Sequence, residues 1–218
     1  MSMLAPAKNR PLRQSAIFRT RSALHSDGVA NILSMLAQAT TEEEQVGITW
    51  YSTAHVLASH WHPDMRTACG VLAALSPNTD WESNVAMAAD FLAGHTDADT
   101  VPHTYDAGRK AERIRDGEDP DLVLGGRKVR SFFRNIFDPD RPGPVTVDRH
   151  ATCIWLGERD TSRRPVNLVN RVGAYQMIAA DYRTAGRLTG LLPHQIQAIT
   201  WCTYRRIHVP PHLQTGEF

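Results

Sequence analysis

Asp148 lies in the segment Pro144-Val-Thr-Val-Asp-Arg-His-Ala151, where an apolar extended approach delivers one carboxylate to the first position of a helix. A carboxylate there caps the helix by accepting backbone N–H bonds, and the same bonds keep it ionised and aimed. A carboxylate so held can stabilise a developing cation. Lys128 belongs to a second segment, Gly125-Gly-Arg-Lys-Val-Arg-Ser-Phe-Phe-Arg-Asn-Ile136. Its glycine pair makes a turn that lets backbone N–H groups at the helix start approach a phosphate, while Arg127, Lys128, Arg130 and Arg134 supply positive charge. Lys128 is thus either a phosphate contact or an amine nucleophile. The third segment, Leu75-Ser-Pro-Asn-Thr-Asp-Trp-Glu-Ser-Asn-Val85, is a polar turn between apolar runs. Asn78 and Trp81 could enter a stacked duplex, or with Ser76 and His150 line a base pocket, through amide hydrogen bonds and an aromatic face.

Each segment also has a plain structural explanation. Gly125 and Gly126 would simply join two helices, the basic residues would form a solvated face, Asp148 would be an ordinary N-cap and Trp81 would be core. Other constellations carry less chemistry. His60-x-His62-x-Asp64 has metal-like residue types, but i and i+2 do not share a helix face, so no metal site is expected. His55 reads as a core histidine, Cys69 and Cys153 as small core residues, and Trp155, Trp201 and Tyr204 as core at helical spacing.

The elements that must position these residues have helical rather than alternating apolar spacing. Val29, Ile32, Leu33 and Leu36 make one stripe, and Ile48, Tyr51, Val56 and Leu57 lie in a second helix behind the acidic start Glu42, Glu43, Glu44. Asp64 and Asp80 are N-caps for the third and fourth helices. Later periodic stretches run over 105–115, 128–137, 148–156, 168–182 and 193–207. The spacing predicts an all-α fold of about eight or nine helices around one interior, without repeats or low-complexity tracts.

Composition narrows the class further. Lys plus Arg is 24 against Asp plus Glu 23, so the formal net charge of +1 gives no global attraction to a polyanion, and any basic surface must be local. The first 22 residues do carry Lys8, Arg10, Arg13, Arg19 and Arg21 without an acid, and 1–26 reads as a basic arm ahead of a single helical domain over 27–218. Three widely spaced cysteines exclude a disulfide framework and a CxxC-type metal or iron-sulfur site. With no membrane-length apolar run and no signal-peptide pattern, a cytoplasmic monomer without cofactor is expected.

The order of the segments resembles the helix-hairpin-helix DNA glycosylases of the endonuclease III type. Leu75-Ser-Pro-Asn-Thr-Asp80 is similar to the family's LSxQxTD insertion loop, Gly125-Gly-Arg-Lys128 to its GxGxK phosphate-gripping hairpin, and Val147-Asp-Arg-His150 to the VDxH that carries its essential aspartate. The likeness covers about residues 64–207, with Asn78 where the family has glutamine. It implies a two-lobed helical fold around a cleft, a duplex DNA partner, Asp148 as the catalytic carboxylate and Lys128 as the residue that decides lyase activity. The run 126–150 also resembles a divergent branch associated with phages and hypermodified bases, including proteins like alpha-glutamyl/putrescinyl thymine pyrophosphorylase. That branch implies excision of a modified base, with antiviral defence as one setting. It also leaves open a base-tailoring transferase or a DNA-binding module without chemistry.

Overall fold

Eleven helices follow one another among residues 27–101 and 105–209, the part of the chain that the computed structural model describes. They are α1 (Gly28–Leu36), α2 (Thr41–Ser59), α3 (Met65–Leu75), α4 (Trp81–Leu92), α5 (Tyr105–Arg115), α6 (Pro120–Val123), α7 (Arg127–Phe137), α8 (Arg149–Leu156), α9 (Arg164–Val169), α10 (Ala174–Thr189) and α11 (Pro193–His208). The fold class is all-α, as the spacing predicts. The basic N-terminal arm lies outside the described residues.

Local chemistry starts these helices where the sequence places caps. Asp64 accepts from the Arg66 and Thr67 N–H groups at 3.2 and 3.1 Å, Asp80 from the Ser83 N–H at 2.8 Å, and Thr40 forms a reciprocal capping box with Glu43. From Thr67 to Leu75 every residue of α3 is buried, so this helix is enclosed on all sides. By contrast α7 is two-faced: Phe132, Phe133 and Ile136 point inward, while Arg127 and Arg134 are exposed. Across the molecule α2 packs closely on α11. A Cβ added at Gly47 would lie 2.5 Å from the Ile199 backbone nitrogen, so only glycine permits this crossing.

Two expectations about elements need correction. The helix expected over 168–182 is in fact two, α9 and α10, separated where Gly173 adopts a left-handed φ of 84° that a continuing helix cannot use. A short helix that the periodic stretches do not include, α6, precedes Gly125, begun by Pro120 and capped by Asp119. These additions raise the number of helices above the expected range.

Buried apolar residues fall into two clusters. One is built chiefly from α2 to α7, around Leu72, Phe91, Phe132 and Phe133, and the other from α1, α8, α10 and α11, around Trp155, Ile178 and Tyr182. The extended segment before α8 runs between them. Val145 and Val147 belong to the second cluster, whereas the intervening Thr146 faces Tyr51 and Asn135 on the first, as the two-residue period of extended backbone requires. Asp148 is the next residue, so both clusters fix its position.

Candidate functional site

The segment that delivers Asp148 is held by hydrogen bonds on each side. Asn135 Nδ2 donates to Thr146 Oγ1 at 3.1 Å; Tyr51 Oη lies 3.0 Å from that oxygen and 2.9 Å from Gln197 Oε1. Since the Tyr51 hydroxyl has one proton and Gln197 Oε1 only accepts, Tyr51 donates to Gln197 and receives from Thr146. On the opposite side, Tyr175 Oη lies 2.7 Å from the Val145 carbonyl and accepts from the Val147 N–H at 3.3 Å. It also reaches Ser131 Oγ on α7 at 3.0 Å. Burial pushes the Tyr175 phenol up, so it stays a neutral donor.

Asp148 is the N-cap of α8, with its carboxylate 9% exposed. One oxygen accepts from the Ala151 N–H at 2.6 Å and the other from Trp201 Nε1 at 3.0 Å. Two donors from different elements therefore fix both the position and the plane of the group. His150 Nδ1 lies 3.9 Å from the Trp201-bound oxygen, and Arg149 Nη2 lies 3.2 Å from His150 Nε2. A guanidinium can only donate, so Nε2 is the acceptor and neutral His150 carries its proton on Nδ1, the nitrogen nearer Asp148. Burial lowers the His150 pKa and outweighs the opposing charge of Asp148, with Arg149, Arg205 and Lys128 acting in the same direction as burial.

These groups open on a cavity of about 380 Å³. Asp148 and His150 from the start of α8, Lys128 from α7 and Asn78 from the α3–α4 loop all line it, with Val166 and Tyr175 as apolar and aromatic wall. Asn78 is exposed and has φ 61°, the one positive φ outside glycine among the described residues. Asparagine tolerates this conformation better than most residues, at a cost that persists only when the surroundings enforce it. Here they do: Thr79 Oγ1 donates to the Leu75 carbonyl at 3.2 Å and Ser76 Oγ to the Ala73 carbonyl at 2.9 Å.

The remaining expected site residues divide differently. Ser76 and Trp81, expected in the base pocket, do not line this cavity: Ser76 is buried against the end of α3, and Trp81 packs on Trp50 with ring centroids 5.3 Å apart. Gly126 takes a left-handed φ of 71° at the N-cap of α7, and Gly125 approaches Lys110, where an added Cβ would lie 3.2 Å from Nζ. Arg127, Arg130 and Arg134 line a second, adjacent cavity, with Tyr175 forming a wall of both. The arginines are not without an acid, because Arg134 Nε donates to Asp121 Oδ1 at 2.8 Å.

Two site residues escape a reading by motif. Trp201 looks like core from its spacing, and Tyr175 lies in no motif. The available signal is that a buried indole N–H and a buried phenol each need a partner. Among the described residues no group of three or more His, Cys, Asp or Glu side chains could hold a metal ion. His62 Nδ1 accepts from the Asp64 N–H at 3.1 Å, and burial raises the Cys69 thiol to about 12. None of the described helices is long and apolar enough to cross a membrane.

No curated protein and no solved structure matches the chain. A family model does match over residues 15–208, spanning every segment that builds the cavity, and by that match the chain belongs to DUF7178, a family of unknown function.

Proposed function

We propose that this protein is a DNA glycosylase that flips a modified base out of the duplex and cleaves its N-glycosidic bond. The observation that carries the reading is the convergence of Asn78, Lys128, Asp148 and His150, drawn from three separate segments, on one cavity. Its volume of about 380 Å³ falls within the range of small-ligand pockets, roughly 300–1,000 Å³, which accommodates a nucleobase. Asn78 at the exposed loop would occupy the space left in the stack, and the basic face of α7 would meet the backbone.

In this mechanism the bond between the sugar and the base nitrogen breaks and its electron pair leaves with the base. Asp148, aimed by its two donors, stabilises the oxocarbenium-like sugar and accepts a proton from the water that adds to it. Neutral His150 carries its Nδ1–H 3.9 Å from the carboxylate, beyond direct hydrogen-bond reach, and leaves the orientation of Asp148 to Ala151 and Trp201. Lys128 contributes a positive charge toward the flanking phosphate without forming a covalent bond.

The test is incubation of the purified protein with duplexes carrying a panel of modified bases, hypermodified phage DNA among them, with free base and alkali-labile abasic sites as readouts. Asp148→Asn is expected to reduce base release by about a hundredfold or more while the variant remains folded. Full activity in that variant would remove the carboxylate from the mechanism. Borohydride is expected to trap no adduct; an adduct lost in Lys128→Gln would instead make the enzyme a lyase. A heavier nucleoside by mass spectrometry would identify a transferase.

A further inference from the structure

The second cavity gathers positive charge from several parts of the chain. It measures about 690 Å³ and is lined by Arg127, Arg130 and Arg134 on one face of α7, Arg141 from the following loop and Arg183 from α10. Two helices and a loop thus bring arginines to the wall of one space. Asp121 is the only acid in its lining, and it is engaged by Arg134 at 2.8 Å and by Arg66 at 3.2 Å. Arg183 Nη1 donates to the Gly143 carbonyl at 3.0 Å, which fixes that side chain at the rim. The Nε of Arg130 is enclosed without a hydrogen-bond partner among the described residues. Tyr175 completes the wall and ties it through Ser131 to α7.

Five like charges around one space repel one another, and a multiply charged anion relieves that repulsion. Guanidinium forks match phosphate oxygens in pairs, so the arrangement suits phosphate over a halide or a single carboxylate. One phosphodiester brings a single charge, whereas a triphosphate brings about four at neutral pH. Five arginines against one shared carboxylate match the larger number.

We infer that this cavity is a binding site for closely spaced phosphates, with the charge and room to take a triphosphate group. The same chemistry is offered by a free nucleoside triphosphate and by consecutive phosphates of a nucleic-acid strand. The inference depends on the glycosylase reading only for the second of these sources, since none of its five arginines lines the Asp148 cavity.

Titration calorimetry with inorganic triphosphate tests it, alongside an unmodified duplex oligonucleotide. Wild type should bind inorganic triphosphate one to one, with inorganic phosphate at least about tenfold weaker. Arg141→Gln combined with Arg183→Gln should weaken triphosphate binding by at least about tenfold, whereas Arg163→Gln, an exposed arginine outside both cavities, should not. Thermal protection of wild type by triphosphate gives a second readout that needs no variant. Oligonucleotide binding lost in the double variant, with no triphosphate binding by wild type, would identify the strand as the source and also support the site. If neither ligand responds to the double variant more than to Arg163→Gln, the inference is wrong. Asp148→Asn should bind triphosphate like wild type, so a failed base-release assay and a failed phosphate site give different results.

Discussion

At the scale of single residues, Asp148 owes its geometry to a tryptophan that looks like core. The Ala151 N–H would hold its first oxygen in any capped helix, but the second oxygen depends on Trp201 Nε1 from α11. Trp201→Phe removes that donor and keeps an aromatic ring against Trp50 and Arg205, though a smaller one. We expect it to fold, to bind DNA with nearly unchanged affinity, and to lose roughly tenfold to a hundredfold in kcat, because a carboxylate with one donor is less well oriented. A fall in affinity with unchanged kcat would assign Trp201 to packing alone. Asn78 offers an independent separation of strain from function. Glycine adopts its φ of 61° without steric cost, so Asn78→Gly should leave the melting temperature within a few degrees of wild type while removing the amide that the proposed mechanism places in the stack. Base release from duplex DNA should fall much more than release from single-stranded DNA, where nothing needs to be replaced in the stack.

At the scale of elements, the site depends on how closely α2 and α11 approach, since these helices supply Tyr51, Gln197 and Trp201. Gly47 sets that distance. A Cβ there meets Ile199 backbone atoms at 2.5 and 2.6 Å, which cannot swing aside like the end of a side chain. Gly47→Ala should therefore destabilise the fold by about 1–3 kcal/mol, even though alanine is the better helix former, and a denaturant titration would read the loss directly. An increase in stability would mean that the helices can separate freely. Much at this scale was legible beforehand. Asp64, Asp80 and Asp148 each announce a helix start by residue type and position, and each does cap one. The break at 170–173 was not, because Leu168 to Tyr182 keeps helical apolar spacing across it and Gly173 alone does not reveal a left-handed turn. Nor does spacing disclose that Arg134 has a partner in Asp121, thirteen residues away across the turn between α6 and α7.

The whole molecule presents its cavity at the seam between two apolar clusters, and this is why the cavity's lining is legible in the sequence only as separate motifs. Asn78 and Lys128 come from the side of the first cluster, while His150 and Tyr175 come from the second. No local spacing encodes that encounter; it follows from how the two clusters pack on either side of 145–147. What the Trp201 indole meets depends on the same packing and is equally hidden from helical periodicity. The resemblance of the motif order to a known family is the only sequence feature that groups these segments.

The same seam places two histidines where protonation opposes folding. Burial lowers the pKa of His150 against the pull of Asp148, and burial lowers that of His194 against the Pro139 carbonyl, Asp140 and Asp138. Both start from an ordinary value of 6.5. The unfolded chain thus binds protons there before the folded chain does, and stability present above about pH 6.5 declines as the pH falls through the lowered folded values. A second decline should follow in the carboxylate range. The Thr67 hydroxyl, set against partial burial, leads the groups that hold Asp64 below its ordinary 3.8, and Arg66 does the same for Asp119. Their stabilisation is present above that value and is lost as the pH falls below it. Melting curves should therefore show two descending steps on acidification, separated by a shallower region. His194→Gln removes one of the two buried imidazoles, so it should flatten the first step and leave the second unchanged, even if it lowers stability at neutral pH. On the proposed mechanism base release should decline within the first step as well, because a protonated His150 places a positive charge beside the Asp148 carboxylate and would weaken its stabilisation of a sugar cation. Activity that stays constant while the first melting step proceeds would separate His150 from the chemistry and leave it a structural role.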